Sequence, residues 1–167
     1  MVVAVDPRTR VLGDPVPLLA AHTMPGICHL AVSVQLIDDE GRWLVAQRAF
    51  TKRSFAGLWS NSCCTHPFAG EDPKTAAKRR LLEELGVQLA QPLEFVGDFV
   101  YRAEDAVSGL VEHEWDHVYV ARVPKMSCIL NPSEVEAVRF VNVSELDTLL
   151  AGSTVTPWFK DVAALIR

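Results

Sequence analysis

No apolar run in the 167-residue chain reaches the ~18 residues that a membrane-spanning helix needs. The first residues, MVVAVDPRTRVLGDPVP, lack a charged segment followed by an apolar one and a cleavage site, so they do not read as a secretory signal. Positive charge is not in excess either. The 16 Lys and Arg stand against 21 Asp and Glu, for a net charge of −5, and no basic cluster is interleaved with aromatics. That balance gives no electrostatic support for a nucleic-acid partner. The four cysteines, Cys28, Cys63, Cys64 and Cys128, form no C-x-x-C pair, and the adjacent Cys63 and Cys64 are poorly placed for a structural disulfide. Reduced thiols and a cytoplasmic location are the expectation. Internal repeats, low-complexity runs and interdomain linkers are also missing. Residues 1–167 therefore read as one soluble domain, large enough to bury roughly 70% of its unfolded surface.

What is present has the pattern of a mixed α/β fold. Residues 1–27 are rich in Pro and Gly and read as an irregular lead-in. From His29, LAVSVQLID and then RWLVAQRA are β-rich runs, and the DDEG between them is a hairpin turn. Residues 50–71 look loop-like around the short extended piece LWSNSCC. Asp72 then offers an N-cap, Pro73 suits the first helical position, and Gly86 supplies the stop. Between them Ala77, Leu81 and Leu85 recur every four residues and mark a buried stripe. Strands follow near 93–102, 112–123 and 135–142, then a short helix around SELDTLL and a helical tail from Pro157. Strands on both sides of a central helix predict a mixed β-sheet packed between helices.

The helix carries more than packing. Residues 70–87, GEDPKTAAKRRLLEELGV, resemble the Nudix box G-x5-E-x7-R-E-U-x-E-E-x-G-U, where U is aliphatic. Glu71, Arg79, Leu81, Glu83, Glu84, Gly86 and Val87 fall in register, whereas Thr65 replaces the first Gly and Arg80 replaces the Glu after the Arg. Residues four apart on a helix share a face, so 80 and 84 can meet one ligand. Nudix hydrolases place two carboxylates there to hold metal against a diphosphate. Here one is a cation, which weakens hydrolysis as the expectation. Taken alone, such a helix is equally a solvated surface helix with an ordinary Arg80–Glu84 pair.

A second segment narrows the resemblance. GLWSNSCCTHP at 57–67 is similar to the G-x-W-x-N-x-x-C-x-H-P segment of type I isopentenyl-diphosphate isomerases. By that likeness Cys64 is the catalytic thiol and His66 a metal ligand. The two are i and i+2, so an extended segment projects them to one side. His22 and His29 sit seven apart, as do the first two histidine ligands of that family. Glu112 and Glu114, also i and i+2, share a strand face, while His113 and His117 point the other way. The resemblance thus implies a site of three His and two Glu for a divalent Mn²⁺, Mg²⁺ or Zn²⁺. It also implies a diphosphate-bound Mg²⁺ reached by Glu84.

The implied reaction moves the double bond of isopentenyl diphosphate, a small-molecule substrate, through a tertiary carbocation. The resemblance assigns proton transfer to Cys64 and Glu114, with Tyr101 assisting on the glutamate side. It assigns cation stabilisation to Trp158, whose ordinary job would be to anchor the C-terminal helix. Diphosphate binding falls to Arg48, Lys52 and Arg80, with Lys160 and Arg53 as lesser candidates. Bacterial relatives carry a basic residue where this chain has Leu18, and the chain ends soon after TPWFK, implying a shorter C-terminal lid. A monomer or weak homodimer is expected. Two rivals remain. A nucleoside-diphosphate hydrolase would have no use for Cys64, Trp158 and the histidines together. A module with a structural metal would more often close it with four Cys or His ligands.

Overall fold

The computed structural model describes residues 1–124 and 126–167. Its central strand is β3, His29–Asp38, buried along its whole length. One edge of β3 runs parallel to β8, Val111–Val123, over ten residue pairs from His29–Glu114 to Asp38–Val123. The other edge takes up the short β6, Cys63–Thr65, antiparallel, with Ser33 opposite Cys64. Strand β7, Glu94–Glu104, extends the sheet beyond β8 and places Tyr101 opposite Glu114. Strand β4, Trp43–Arg48, follows the β3 turn and pairs with β5, Trp59–Ser60, and β9, Val135–Val141.

Helices cover both faces of this sheet. Helix α2, Pro73–Leu85, starts with the Asp72 carboxylate accepting from the Thr75 N–H and ends at Gly86. Gly86 adopts φ +65°, the left-handed conformation that lets its N–H and that of Val87 bond back to Leu82 and Leu81. The stripe Ala77, Leu81 and Leu85 is fully buried against Val32, Val34, Leu36 and Leu44. Each leucine contributes roughly 2 kcal/mol by leaving water. On the opposite face, α3, Val143–Ala151, and α4, Phe159–Ile166, pack Leu146, Phe159 and Val162 against Val45 and Val118. The alternation of β3 and β8 feeds these two cores from opposite sides, as the period of two requires.

One sequence expectation is corrected. Residues 1–27 are not an irregular lead-in. They form an antiparallel hairpin of β1, Val2–Val5, and β2, Leu12–Val16, followed by the short helix α1, Leu18–His22. Proline and glycine hid these elements, because Pro15 lies on the edge strand β2, where no ladder donor is required of it. Val3 and Val5 then bury against Cys28 and Leu30, and β1 joins the main sheet through Ala4 and His29.

Candidate active site

Side chains of β6, β7 and β8, together with α1, α2 and the loops between them, line a cavity of about 550 Å³. Cys64, His66, Glu112, Glu114, Tyr101, Trp158 and His22 border it, and so do Arg48, Lys52 and Arg80. The residues singled out in the sequence therefore converge from α1, β4, β6, β7, β8, α2 and the loops between them. His29, fully buried, Lys160 and Glu84 are not on its lining. Glu84 faces a small adjoining recess that also touches Arg48, Lys52, Cys64 and Glu134.

At one end, His22, His29, His66, Glu112 and Glu114 each present one ligand atom, and these atoms all lie within 4.8 Å of one another. His22 Nδ1 and His29 Nδ1 lie 2.8 Å from the carbonyl oxygens of Leu18 and Ile27. A carbonyl can only accept, so both Nδ1 atoms carry hydrogen, and Nε2 is the atom left to face the cluster. His29 Nε2 sits 3.2 Å from His66 Nε2, and His66 Nε2 sits 2.8 Å from Glu114 Oε1. His22 Nε2 meets Glu112 Oε2 at 2.7 Å, and Glu112 Oε1 accepts from the Ser54 hydroxyl. Two imidazole nitrogens this close, with both carboxylates alongside, fit a divalent cation held by mixed nitrogen and oxygen donors. Burial opposes the His22 charge, but Glu112 outweighs it and raises the group to about 9. For His66 desolvation outweighs the pull of Glu114, and the group is lowered. Burial likewise opposes the charge of Glu114, yet the His29 and His66 imidazoles hold it well below the usual carboxylate range.

Next to this cluster stand the proton-bearing groups. The Tyr101 hydroxyl donates to Glu114 Oε2 at 2.6 Å, and burial beside that carboxylate pushes the phenol well up. The Cys64 thiol donates to Asn61 Oδ1 at 3.2 Å, and burial pushes it up to about 12. Trp158 is buried, stacks near Tyr101 with ring centroids 5.7 Å apart, and has the Arg48 guanidinium 5.6 Å from its own centroid. The indole starts α4 in the core and also borders the cavity.

The other end is built from charges that neutralise one another. Glu134 Oε2 meets Lys52 Nζ at 2.5 Å and Arg80 Nη2 at 2.7 Å. Arg80 Nη2 also reaches Glu84 Oε1 at 2.8 Å. Burial pushes the Glu84 carboxyl up against the pull of Arg80. For Glu134 burial acts the same way, but Lys52 and then Arg80 outweigh it and lower the carboxyl. Arg48 is oriented by backbone instead, donating to the carbonyls of Ser54 and Phe55. His113 turns to Gly26, and His117 stacks on Trp115 across the sheet, as the alternation of β8 predicts.

Sequence reasoning missed Ser33, Ser54, Asp116 and Glu134. Asp116 was within reach, because it continues the i, i+2 row of Glu112 and Glu114. Glu134 gave no local signal, since its partner Lys52 lies 82 residues away.

With this geometry in place, the likeness to known proteins has a structural basis. A family model described as the NUDIX domain matches residues 28–159. A crystal structure from Deinococcus radiodurans superposes with a TM-score of 0.77, covering 99% of each chain at 20% identity. The MutT protein of Methanosarcina mazei does so at 0.65, with 18% identity over 81% of this chain and 89% of its own. The fold is thus of the Nudix class. Among curated relatives, the isopentenyl-diphosphate Delta-isomerase of Nocardia farcinica is 44% identical over 160 residues, 95% of this chain and 89% of that protein. The enzyme of the same name from Photobacterium profundum is 39% identical over 96% of this chain and 91% of its own. The chain belongs to the isopentenyl-diphosphate Delta-isomerase family.

Proposed function

We propose that the protein interconverts isopentenyl diphosphate and dimethylallyl diphosphate, and that the residues around the cavity divide this work between its two ends. The observation that carries the reading is the placement of Cys64 and of the Glu114–Tyr101 pair on one cavity beside a cation, Arg80, where Nudix hydrolases carry a carboxylate. Of the two partners, Cys64 Sγ and the Tyr101 Oη–Glu114 pair, one enters the cycle protonated and gives its proton to the terminal alkene carbon. The other enters deprotonated and takes the proton from the carbon beside the oxygenated one, so the pair ends the turn with its protonation states exchanged. The Trp158 indole turns its electron-rich face to the cation between those steps, worth roughly 2 kcal/mol or more in a dry site. Arg48, Lys52 and Arg80 bind the diphosphate, the guanidinium groups in the bidentate geometry that suits phosphate oxygens.

His22, His29, His66, Glu112 and Glu114 would hold a Mn²⁺, Mg²⁺ or Zn²⁺ ion, which supplies positive charge that tunes the acidity of groups at the Glu114 end. Glu84 would meet a Mg²⁺ that accompanies the diphosphate, once its contact with Arg80 is exchanged. The 167 residues act as one domain, as a cytoplasmic monomer or weak homodimer. The test is proton NMR of the metal-loaded protein with isopentenyl diphosphate in D₂O. Deuterated dimethylallyl diphosphate is expected, and its formation is lost in Cys64→Ala and Glu114→Gln. Release of inorganic phosphate without isomerised product would replace this reading with hydrolysis.

A further inference from the structure

Behind Cys64 lies a polar pair that the reaction outlined above does not use. Ser33 and Asp116 are each 1% exposed, deep in the sheet. Ser33 is the cross-strand partner of Cys64 in the β3–β6 register, and Ser33 Oγ lies 3.4 Å from Cys64 Sγ. On its other side the Ser33 hydroxyl donates to Asp116 Oδ2 at 2.6 Å. Three neighbouring strands thus contribute one side chain each to a row, Cys64–Ser33–Asp116, running inward from the cavity.

The row is costly. Among the described residues, Asp116 Oδ1 is buried with no hydrogen-bond partner and no Lys or Arg pairs with this carboxylate. An orphaned buried oxygen of this kind generally destabilises a fold by about 1–3 kcal/mol, whereas an apolar pair of similar shape would cost nothing. A fold-stabilising role does not account for such a group. What the carboxylate does achieve is local: the short bond fixes the rotamer of Ser33. Ser33 Oγ, its own hydrogen committed to Asp116, turns a lone pair to the thiol at 3.4 Å, so the thiol hydrogen lies between two fixed acceptors, Ser33 Oγ and Asn61 Oδ1. Asn61 is itself immobilised, donating to the carbonyls of Val34 and Cys63 and accepting from Ser60. Cys64 sits on a strand of three residues whose sulfur would otherwise be free to choose among rotamers.

We propose that Ser33, braced by Asp116, is a positioning residue that holds the Cys64 thiol in the one orientation that meets the substrate carbon. This rests on the isomerase reading and on Cys64 as a reacting group. A thiol misplaced by even part of an ångström weakens proton transfer without touching diphosphate binding. Ser33→Ala in the metal-loaded enzyme should therefore lower kcat on the order of 10- to 100-fold and leave KM for isopentenyl diphosphate within about twofold. Ser33→Thr, which keeps the hydroxyl on a strand position, should restore most of kcat. The double variant Ser33→Ala/Asp116→Leu should unfold at a temperature no lower than the parent while keeping the kcat defect.

A kcat that stays at the parent value in Ser33→Ala overturns the proposal. So does a loss that tracks lower metal content or a lower unfolding temperature, or one that Ser33→Thr fails to restore. Cys64→Ala, measured alongside, separates the two levels. If it isomerises like the parent, the reading of Cys64 fails; if it is inactive while Ser33→Ala is normal, only the brace fails.

Discussion

The two ends of the cavity are made on different physical terms. The His and Glu cluster comes from β3, β8 and α1, with His66 just past the end of β6, and four of its five residues are buried. Its imidazole nitrogens and carboxylate oxygens converge, His29 Nε2 lying 3.2 Å from His66 Nε2. The basic end comes from a loop and a helix surface, where Lys52 is paired with Glu134, and Arg80 with Glu134 and Glu84. One end gathers buried donor atoms toward a point; the other pairs its charges with one another. The first should respond to substitution in turnover, the second in affinity.

The sharpest way to break that contrast is at Glu114, which serves both the cluster and Tyr101. Glu114→Gln should cost on the order of 10²- to 10⁴-fold in kcat and weaken metal retention, read by steady-state kinetics and metal analysis. Chelation of the parent should abolish turnover, and a divalent cation should restore it.

Thiol chemistry gives the next largest effect. Burial raises the Cys64 thiol to about 12. A raised thiol is protonated below that value, so at pH 8 only about one molecule in 10⁴ carries the thiolate. Alkylation of Cys64 by iodoacetamide should thus run on the order of 10³-fold slower than for a free cysteine, rising about tenfold per pH unit up to pH 11. Mass spectrometry of the Cys64 peptide reads it.

At the other end, Glu134→Gln should raise KM for isopentenyl diphosphate roughly fivefold, about 1 kcal/mol, with kcat within twofold. Without that shared negative charge, the repulsion between Lys52 and Arg80 is no longer offset and the two cations part. A fall in kcat with unchanged KM would erase the distinction between the ends. Smallest of all is the cap of the helix that carries Arg80 and Glu84. Asp72→Ala should lower stability by about 1 kcal/mol, a shift of roughly 2–4 °C in Tm by calorimetry, and leave the cluster's metal content unchanged.

These two ends were also unequally legible in the sequence. Groups fixed by strand and helix periods were readable: the i, i+2 pairs Cys64–His66 and Glu112–Glu114, the i, i+4 pair Arg80–Glu84, and the α2 stripe with both caps. Periodicity speaks only along one element, so contacts between distant segments left no trace. Glu134 on Lys52 and Ser33 on Asp116 are of this kind. The N-terminal hairpin was obscured for a third reason. Its strand β2 is exposed and carries Pro and Gly, so neither alternation nor β-propensity marked it, and tertiary pairing with β1 supplies the order.

The placement of His22 has a consequence of its own. It is the only member of the five-residue cluster that precedes residue 28, where the match to the NUDIX domain begins. A cation gripping all five would make the preceding hairpin and α1 a tethered chelating arm, with His22 presented at high effective concentration by the six residues separating it from His29. Reciprocity then follows: whatever loosens the arm weakens the grip on the ion, and ion release loosens the arm by the same free energy. Occupancy of the centre and docking of the first 22 residues become a single equilibrium, so that backbone amides around Val3 and Val5 would report by hydrogen exchange on an ion they never touch.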